Sequence, residues 1–232
     1  MKIIGLIGGM SWQSTRVYYD LLNEAVAAAR GGLHSAEILM RSVDFAELED
    51  AMRRDDWAMI EARLGDEAAA LAAGGADCLL LCTNTMHKLF GVIAARVDIP
   101  FFHIADPLGQ ALAKDGLTRV GLLGTRFTMV EDFYATRLIE RFGIETIVPD
   151  EAQIAAIDRV IFAELCRGEV RDESRDIYLG IMDGLALRGA QGIILGCTEV
   201  EMLVKPHHHA LPLYDTTRLH AHHAVAWALA GG

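Results

Sequence analysis

Two short stretches hold the residues that could do chemistry. "LLLCTNTMHK" (79–88) runs an apolar strand into Cys82, Thr83, Asn84, Thr85 and His87, and "GIILGCTE" (192–199) ends on Cys197, Thr198 and Glu199. Cys197 lies between a strand and the apolar run "VEML", which can open a helix. A thiol in that place meets unpaired backbone N–H groups, and its thiolate is favoured. A thiolate takes a proton, a thiol gives one back, and hydroxyl and amide groups bind carboxylates. The pattern therefore marks Cys197 and the polar groups around Thr83 as the candidate functional residues. A free cysteine is more often a small buried hydrophobe, and that is the reading for Cys78 and Cys166.

The two stretches can be laid over each other. "LLLCTNT" on "IILGCTE" pairs Cys82 with Gly196 and Thr83 with Cys197. Side chains alternate faces along a strand, so if Cys197 points at a ligand then Thr83 does too, and Cys82 points into packing. A second match, "IGLIGGMSWQSTRVYY" on "VGLLGTRFTMVEDFY", sets Gly5 over Gly121. Both matches are offset by about half the chain, which predicts two similar α/β lobes of roughly 100 residues each.

The elements that must position these residues alternate in type. "KIIGLIGG", "AEILMRSV", "DCLLLCT", "IPFFHI", "RVGLLGT", "ETIVP", "GIILGCT" and "ALPLYD" read as strands, nearly continuous in apolar residues, as in a parallel sheet covered on both faces. Helical patterns cover 14–30, 55–73, 84–95, 129–142, 151–166, 174–187 and 216–229. The expected fold is α/β, with two pseudo-symmetric three-layer lobes of mainly parallel sheet and an inter-lobe active site. Residues 1–105 plus 210–232 form the first lobe and 106–209 the second. "ADPLGQAL" marks the crossing, and the final helix returns to the first lobe. Ligands of such sheets sit at the carboxyl ends of strands. That gathers Gly8-Gly9-Met10-Ser11, Thr83-Asn84-Thr85, Gly124-Thr125-Arg126 and Cys197-Thr198-Glu199.

Composition excludes some partners. Lys plus Arg number 21 against 32 Asp plus Glu, a net charge of −11, which argues against nucleic acid and anionic membranes. No apolar run reaches the roughly 18 residues of a membrane span, and "MKIIGLIGGMSW" reads as a first strand rather than a signal peptide. Four cysteines without a C-x-x-C pair suit a reducing, cytoplasmic compartment. "GLIGGMS" lacks a nucleotide-loop pattern, but its N–H groups suit a small anion at a helix start. Consecutive His207, His208 and His209 diverge in direction and read as a solvated loop, with no metal site expected. His220, His222 and His223 read as surface or interface. Lys88, Arg16, Arg41, Arg126, Arg159 and Lys205 are all candidates for holding a carboxylate, with a surface role the simpler reading of each.

Taken together, "IGLIGGMSWQST", "LHSAEILMRSVDF", "LCTNTMHK", "HIADPLG", "VGLLGTRFTM", "LGCTE" and "LPLYDTTRLHAHHAV" resemble the aspartate/glutamate racemase family, nearly end to end. The resemblance implies a cofactor-independent amino-acid racemase, without pyridoxal phosphate, that is a homodimer acting on an amino acid or dicarboxylate. It implies Cys197 and a partner group on opposite faces of the substrate α-carbon as catalytic residues. Met10, Ser11, Met52, Asn84, Thr85, Thr125, Thr198 and Glu199 are then the substrate-binding set. Many members read C-N-T where this chain reads Cys82-Thr83-Asn84-Thr85. Either Thr83 replaces the first catalytic cysteine, or Thr83 is an insertion and Cys82 keeps the role; the internal repeat supports Thr83. A hydroxyl is a poor base, so the pair should favour the L-enantiomer. Met52 stands where relatives carry a polar glutamine, which broadens the expected side-chain range. A maleate isomerase or hydantoin racemase-like isomerase, or a catalytically weak small-anion binding protein, are the alternatives.

Overall fold

The computed structural model describes residues 1–230. The chain divides into two compact units: Met1–His103 with the C-terminal stretch from Thr217, and Ile104–Thr216.

The first unit runs β1 (Ile4–Gly8), α1 (Trp12–Arg30), β2 (Ile38–Ser42), α2 (Phe45–Arg53), α3 (Trp57–Ala73), β3 (Cys78–Leu81), a 3-10 turn (Thr85–Leu89), α4 (Phe90–Ala94) and β4 (Phe101–Phe102). The second runs α5 (Ala105–Lys114), β5 (Arg119–Gly124), α6 (Arg126–Val130), α7 (Asp132–Phe142), β6 (Glu145–Ile147), α8 (Glu151–Ala163), a 3-10 turn (Leu165–Arg167), α9 (Asp172–Leu187), β7 (Ile193–Gly196), α10 (Val200–Leu203), a 3-10 turn (Pro206–His208) and β8 (Leu213–Asp215). Helix α11 (Thr216–Ala230) then returns to the first unit.

Each unit is built on a four-stranded sheet, in order β2-β1-β3-β4 and β6-β5-β7-β8, with every pairing parallel. The two orders are the same once β1 is matched to β5 and β3 to β7. The ladders agree with the sequence repeat: Gly5 pairs with Leu79, and Gly121 with Ile193. The strands pack closely at both places: a Cβ on Gly5 would lie 2.6 Å from Leu79 Cδ2 and one on Gly121 2.7 Å from Ile193 Cδ1, so a larger residue would push those side-chain ends aside. The central strands β1, β3 and β7 are buried throughout, as apolar runs in a covered sheet should be. β2 departs from that expectation. It is an edge strand and mostly exposed.

One face of the first sheet carries Ile4, Leu6, Cys78, Leu80 and Cys82, packed against Tyr18 and Leu22 of α1 and Ala221, Ala224 and Val225 of α11. His220 anchors α11 there. Its Nε2 lies 3.0 Å from the Phe102 carbonyl, which can only accept, so Nε2 carries the proton; in the neutral ring Nδ1 then accepts from the Tyr18 hydroxyl at 2.8 Å. The sequence reads His220 as a surface or interface residue. It is fully buried, because the last helix lays this residue on the apolar stripe that docks onto the sheet.

Local boundaries correct several other expectations. A single helix over 55–73 is preceded by a second, α2, whose start is capped by Asp44 and whose Leu48, Ala51 and Met52 are buried. Asp55, with φ of 57°, separates the two, and Asp56 caps α3. The pattern over 129–142 breaks at Glu131, which is extended, into α6 and α7. The crossing "ADPLGQAL" is helical, its Pro107 in the first turn where no intrahelical donor is lost. Residues 213–215, assigned to the first lobe from the sequence, pair with β7 and complete the second sheet.

Candidate active site

In the first unit β1 and β3 are adjacent and parallel, with Ile7 opposite Leu81, so the loops that follow them emerge side by side. Gly9 has φ of 97°, and a Cβ there would lie 2.2 Å from the Val43 carbonyl oxygen, so only glycine fits. Its N–H donates to Thr15 Oγ1 at 2.7 Å. The Met10–Ser11 peptide bond is cis. Ser11 caps α1, its hydroxyl accepting from Ser14 N–H at 3.3 Å, and Ser14 Oγ donates to the Cys82 carbonyl at 3.1 Å. That bond ties the first turn of α1 to the end of β3. Gln13, in the same turn, is buried, and its Oε1 meets no donor among the described residues. Sequence reasoning passed over Gln13, since nothing in its spacing separates it from a surface glutamine.

After β3 the chain turns sharply. Thr83 N–H donates to the Leu81 carbonyl at 2.8 Å, and the Thr83 carbonyl accepts from His87 Nδ1 at 2.7 Å, so His87 carries its proton on Nδ1. The His87 ring stacks on Phe90 and meets His103 edge-on at 4.6 Å. Asn84 and Thr85 are buried in this turn. Cys78, Leu80 and Cys82 lie together in the core cluster on one face of the sheet, while Thr83 stands in the turn that follows β3. Cys82 has no solvent exposure, and burial pushes its thiol well above the usual range, whereas Thr83 is 8% exposed.

The second unit repeats the plan. Gly124 pairs with Gly196, so Thr125 and the Cys197-Thr198-Glu199 turn emerge from neighbouring strands. A Cβ at Gly196 would lie 2.9 Å from the Leu123 carbonyl oxygen, so the position matching Cys82 is shut against the sheet. Thr125 caps α6 through Thr128 N–H. Cys197 is 8% exposed, and its thiol donates to Glu199 Oε2 at 3.0 Å; on the carboxylate's other side, Cys166 Sγ lies 3.9 Å from Oε1. Cys166 was read as an inert buried thiol. It is half-buried and aimed at this carboxylate.

The expectation of a favoured thiolate at Cys197 fails in this geometry. Burial, and after it the Glu199 carboxylate, hold the Cys197 proton on, with the Glu199 backbone N–H pulling the other way. α10 has only four residues, so the field at its start is small, while a full charge stands one hydrogen bond away. The group is a thiol that donates to a carboxylate oxygen 3.0 Å away.

Met10, Ser11, Thr83, Asn84 and Thr85 thus gather at adjacent strand ends of the first unit, and Thr125, Cys197, Thr198 and Glu199 at the corresponding ends of the second; Met52 is buried on the last turn of α2. Three candidate cations are engaged elsewhere: Arg41 with Glu67, Arg126 with Glu151, and Lys88 over the Trp57 ring. His209 is not solvated as expected but meets Asp183 at 3.1 Å. Among the described residues no group of His, Cys, Asp and Glu is arranged to hold a metal, and no helix is long and apolar enough to cross a membrane.

Residues 7–224 match the profile of the Asp/Glu/hydantoin racemase family. Among solved structures, an Asp/Glu racemase candidate from Yersinia pestis is 45% identical with a TM-score of 0.91, covering 99% of this chain and 100% of that one. An aspartate racemase homologue from Pyrococcus horikoshii OT3 is 28% identical with a TM-score of 0.83, over the same shares of the two chains. An uncharacterised protein from the pnlA 3′ region of Pectobacterium carotovorum subsp. carotovorum is 31% identical over 102 residues, which is 44% of this chain and 66% of that protein, so the match falls short of two thirds of that relative's length.

Proposed function

The chain belongs to the Asp/Glu/hydantoin racemase family, and from that premise we propose that it racemises aspartate, glutamate or a related amino acid by moving the α-proton, without pyridoxal phosphate. Cys197 and Thr83 serve opposite faces of the α-carbon. The observation that carries this reading is their equivalence: each stands two residues beyond matched partners, Leu81 and Leu195, on corresponding strands of two sheets with the same order.

The chemistry follows from the groups at each strand end. Glu199 takes the Cys197 proton as the substrate arrives, and the thiolate removes the α-proton of the L-enantiomer. The C–H electron pair stays on the substrate as a carbanion, spread into the α-carboxylate. Asn84, Thr85, Thr125 and Thr198, with the N–H groups of Met10 and Ser11, hold the carboxylates and stabilise that charge. Thr83 delivers a proton to the other face and recovers it from solvent, and Glu199 returns its proton to solvent, which restores the starting state. A threonine hydroxyl is too weak an acid to work efficiently as a base, so abstraction from the D-enantiomer is slow. Met10 and Met52 present apolar surface, which suits a range of side chains. The same reading has the chain act as a cytoplasmic homodimer with its four cysteines reduced; all four are free thiols.

The test is α-proton exchange in deuterated water, followed by NMR, with each enantiomer of aspartate and glutamate and no added pyridoxal phosphate. Exchange is expected from the L-forms and far less from the D-forms. Cys197→Ala should lower it by at least about 100-fold, Cys82→Ala should leave it nearly intact, and Thr83→Cys should make exchange two-sided. Damage from Cys82→Ala equal to that from Cys197→Ala would place the second group at Cys82. Turnover of a hydantoin or maleate, with no exchange of acidic amino acids, would move the chain to another activity of its family. Binding without any turnover would make it a binding protein.

A further inference from the structure

Glu199 has a thiol at each carboxylate oxygen, Cys197 at 3.0 Å from Oε2 and Cys166 at 3.9 Å from Oε1, and the proton transfer proposed above uses only the first. The other acids near this cluster are committed elsewhere. Asp158 of α8 accepts from the Arg126 backbone N–H at 2.7 Å, and Glu164 accepts from Ser174 Oγ at 2.6 Å with Arg171 at 3.8 Å. Tyr178 of α9, the phenol that faces the cluster, donates to the Ile157 carbonyl at 3.3 Å.

Cys166 is also held by its backbone. It sits in the 3-10 turn that follows α8, closed by Arg167 N–H to the Glu164 carbonyl at 2.9 Å and by Gly168 with φ of 79°. Burial, and next the Glu199 charge, push its thiol well above the usual range, so at neutral pH it carries a proton and donates. A carboxylate turns easily about its last bond. A donor fixed on one oxygen removes that freedom and leaves the other oxygen presented to its partner.

We propose that Cys166 is a positioning residue for the acid–base step: its S–H donates to Glu199 Oε1 and turns Oε2 toward Cys197, where it receives the Cys197 proton. This rests on the reading of Cys197 as the base. Cys166 does not touch the reacting carbon; it acts through Glu199. A long S–H···O bond is weak, so loss of the donor should lower kcat by about three- to tenfold.

The experiment compares Cys166→Ala and Cys166→Ser with the wild type. Two readouts are taken: the pH profile of α-proton exchange from L-aspartate, and the titration of the Glu199 carboxyl carbon by NMR in glutamate-labelled protein. In Cys166→Ala, kcat falls with KM unchanged, the acidic limb of the kcat profile moves to higher pH, and the Glu199 midpoint rises, because the ionised carboxylate has lost a donor. Cys166→Ser keeps a donor and restores all three. A Glu199 midpoint unmoved in Cys166→Ala overturns the proposal, whatever the activity. So does an equal fall in both variants with a matching loss of thermal stability, which would make Cys166 a packing residue. If the wild type exchanges no α-proton while the Glu199 midpoint still follows the Ala and Ser variants, the racemase reading fails and the Cys166–Glu199 contact stands.

Discussion

Cys197 and Glu199 form a pair in which one proton has two places to sit, 3.0 Å apart. Removing the carboxylate charge separates two properties that usually travel together. In Glu199→Gln the Cys197 thiol loses the anion that helps hold its proton on, so its reaction with iodoacetamide should set in at lower pH than in the wild type. Proton abstraction from L-aspartate should nevertheless fall, by about tenfold or more, because nothing is left to receive the thiol proton. Site-resolved mass spectrometry of alkylated Cys197, beside the exchange assay, reads both. If alkylation and exchange rise together, Glu199 only suppresses the thiol and is no proton acceptor.

At the level of elements, parallel strands bring loops out side by side, and glycines let those loops pass close to the backbone. Gly9 is the sharpest case, since any side chain there must adopt φ near 97° and overlap the Val43 carbonyl oxygen. Gly9→Ala should destabilise the protein by about 2 kcal/mol or more, a cost of left-handed strain plus overlap with backbone that cannot move aside. It should also weaken substrate binding, because the shifted loop carries Met10 and Ser11. Urea unfolding and the KM of the exchange reaction measure the two effects, and an unfolding midpoint equal to that of the wild type would show that the loop relaxes freely. The same close packing explains why glycines recur at Gly5 and Gly121, where neighbouring strands set a leucine or isoleucine over the backbone.

For the whole molecule the buried thiols couple stability to pH. Burial pushes Cys78 up to about 12, and Cys82, Cys166 and Cys197 are raised as well. The folded chain therefore keeps these protons at a pH where the unfolded chain releases them. Their contribution is complete below the usual thiol value of about 8.5 and is lost as pH rises from there toward the folded values. The melting temperature should be level from pH 7 to 8 and decline steadily up to pH 10.5, in high salt as in low, since self-repulsion of the net charge of −11 is screened by salt. Cys82→Ala should make the decline shallower even though its starting stability is lower. A melting temperature that stays constant to pH 10.5 would mean the thiols titrate in the folded protein as they do in water.

The sequence by itself determined the alternation of strand and helix, the repeat of one lobe in the other, and the residues at the four strand ends, because apolar periodicity and parallel-sheet geometry are local and recurrent. It also set Cys82 toward packing, and Cys82 lies in the core beside Cys78 and Leu80. Side-chain environment was beyond its reach. The sequence suggested a thiolate at the start of a helix, yet the fold gives Cys197 a very short helix, a buried site and a carboxylate two residues on. His220 looked like a surface or interface residue and is an anchor of the last helix; Cys166 looked inert and faces Glu199 across 33 residues of chain. Charge state, tautomer and partner depend on what the chain brings within a few ångströms from distant positions, and only tertiary structure decides that.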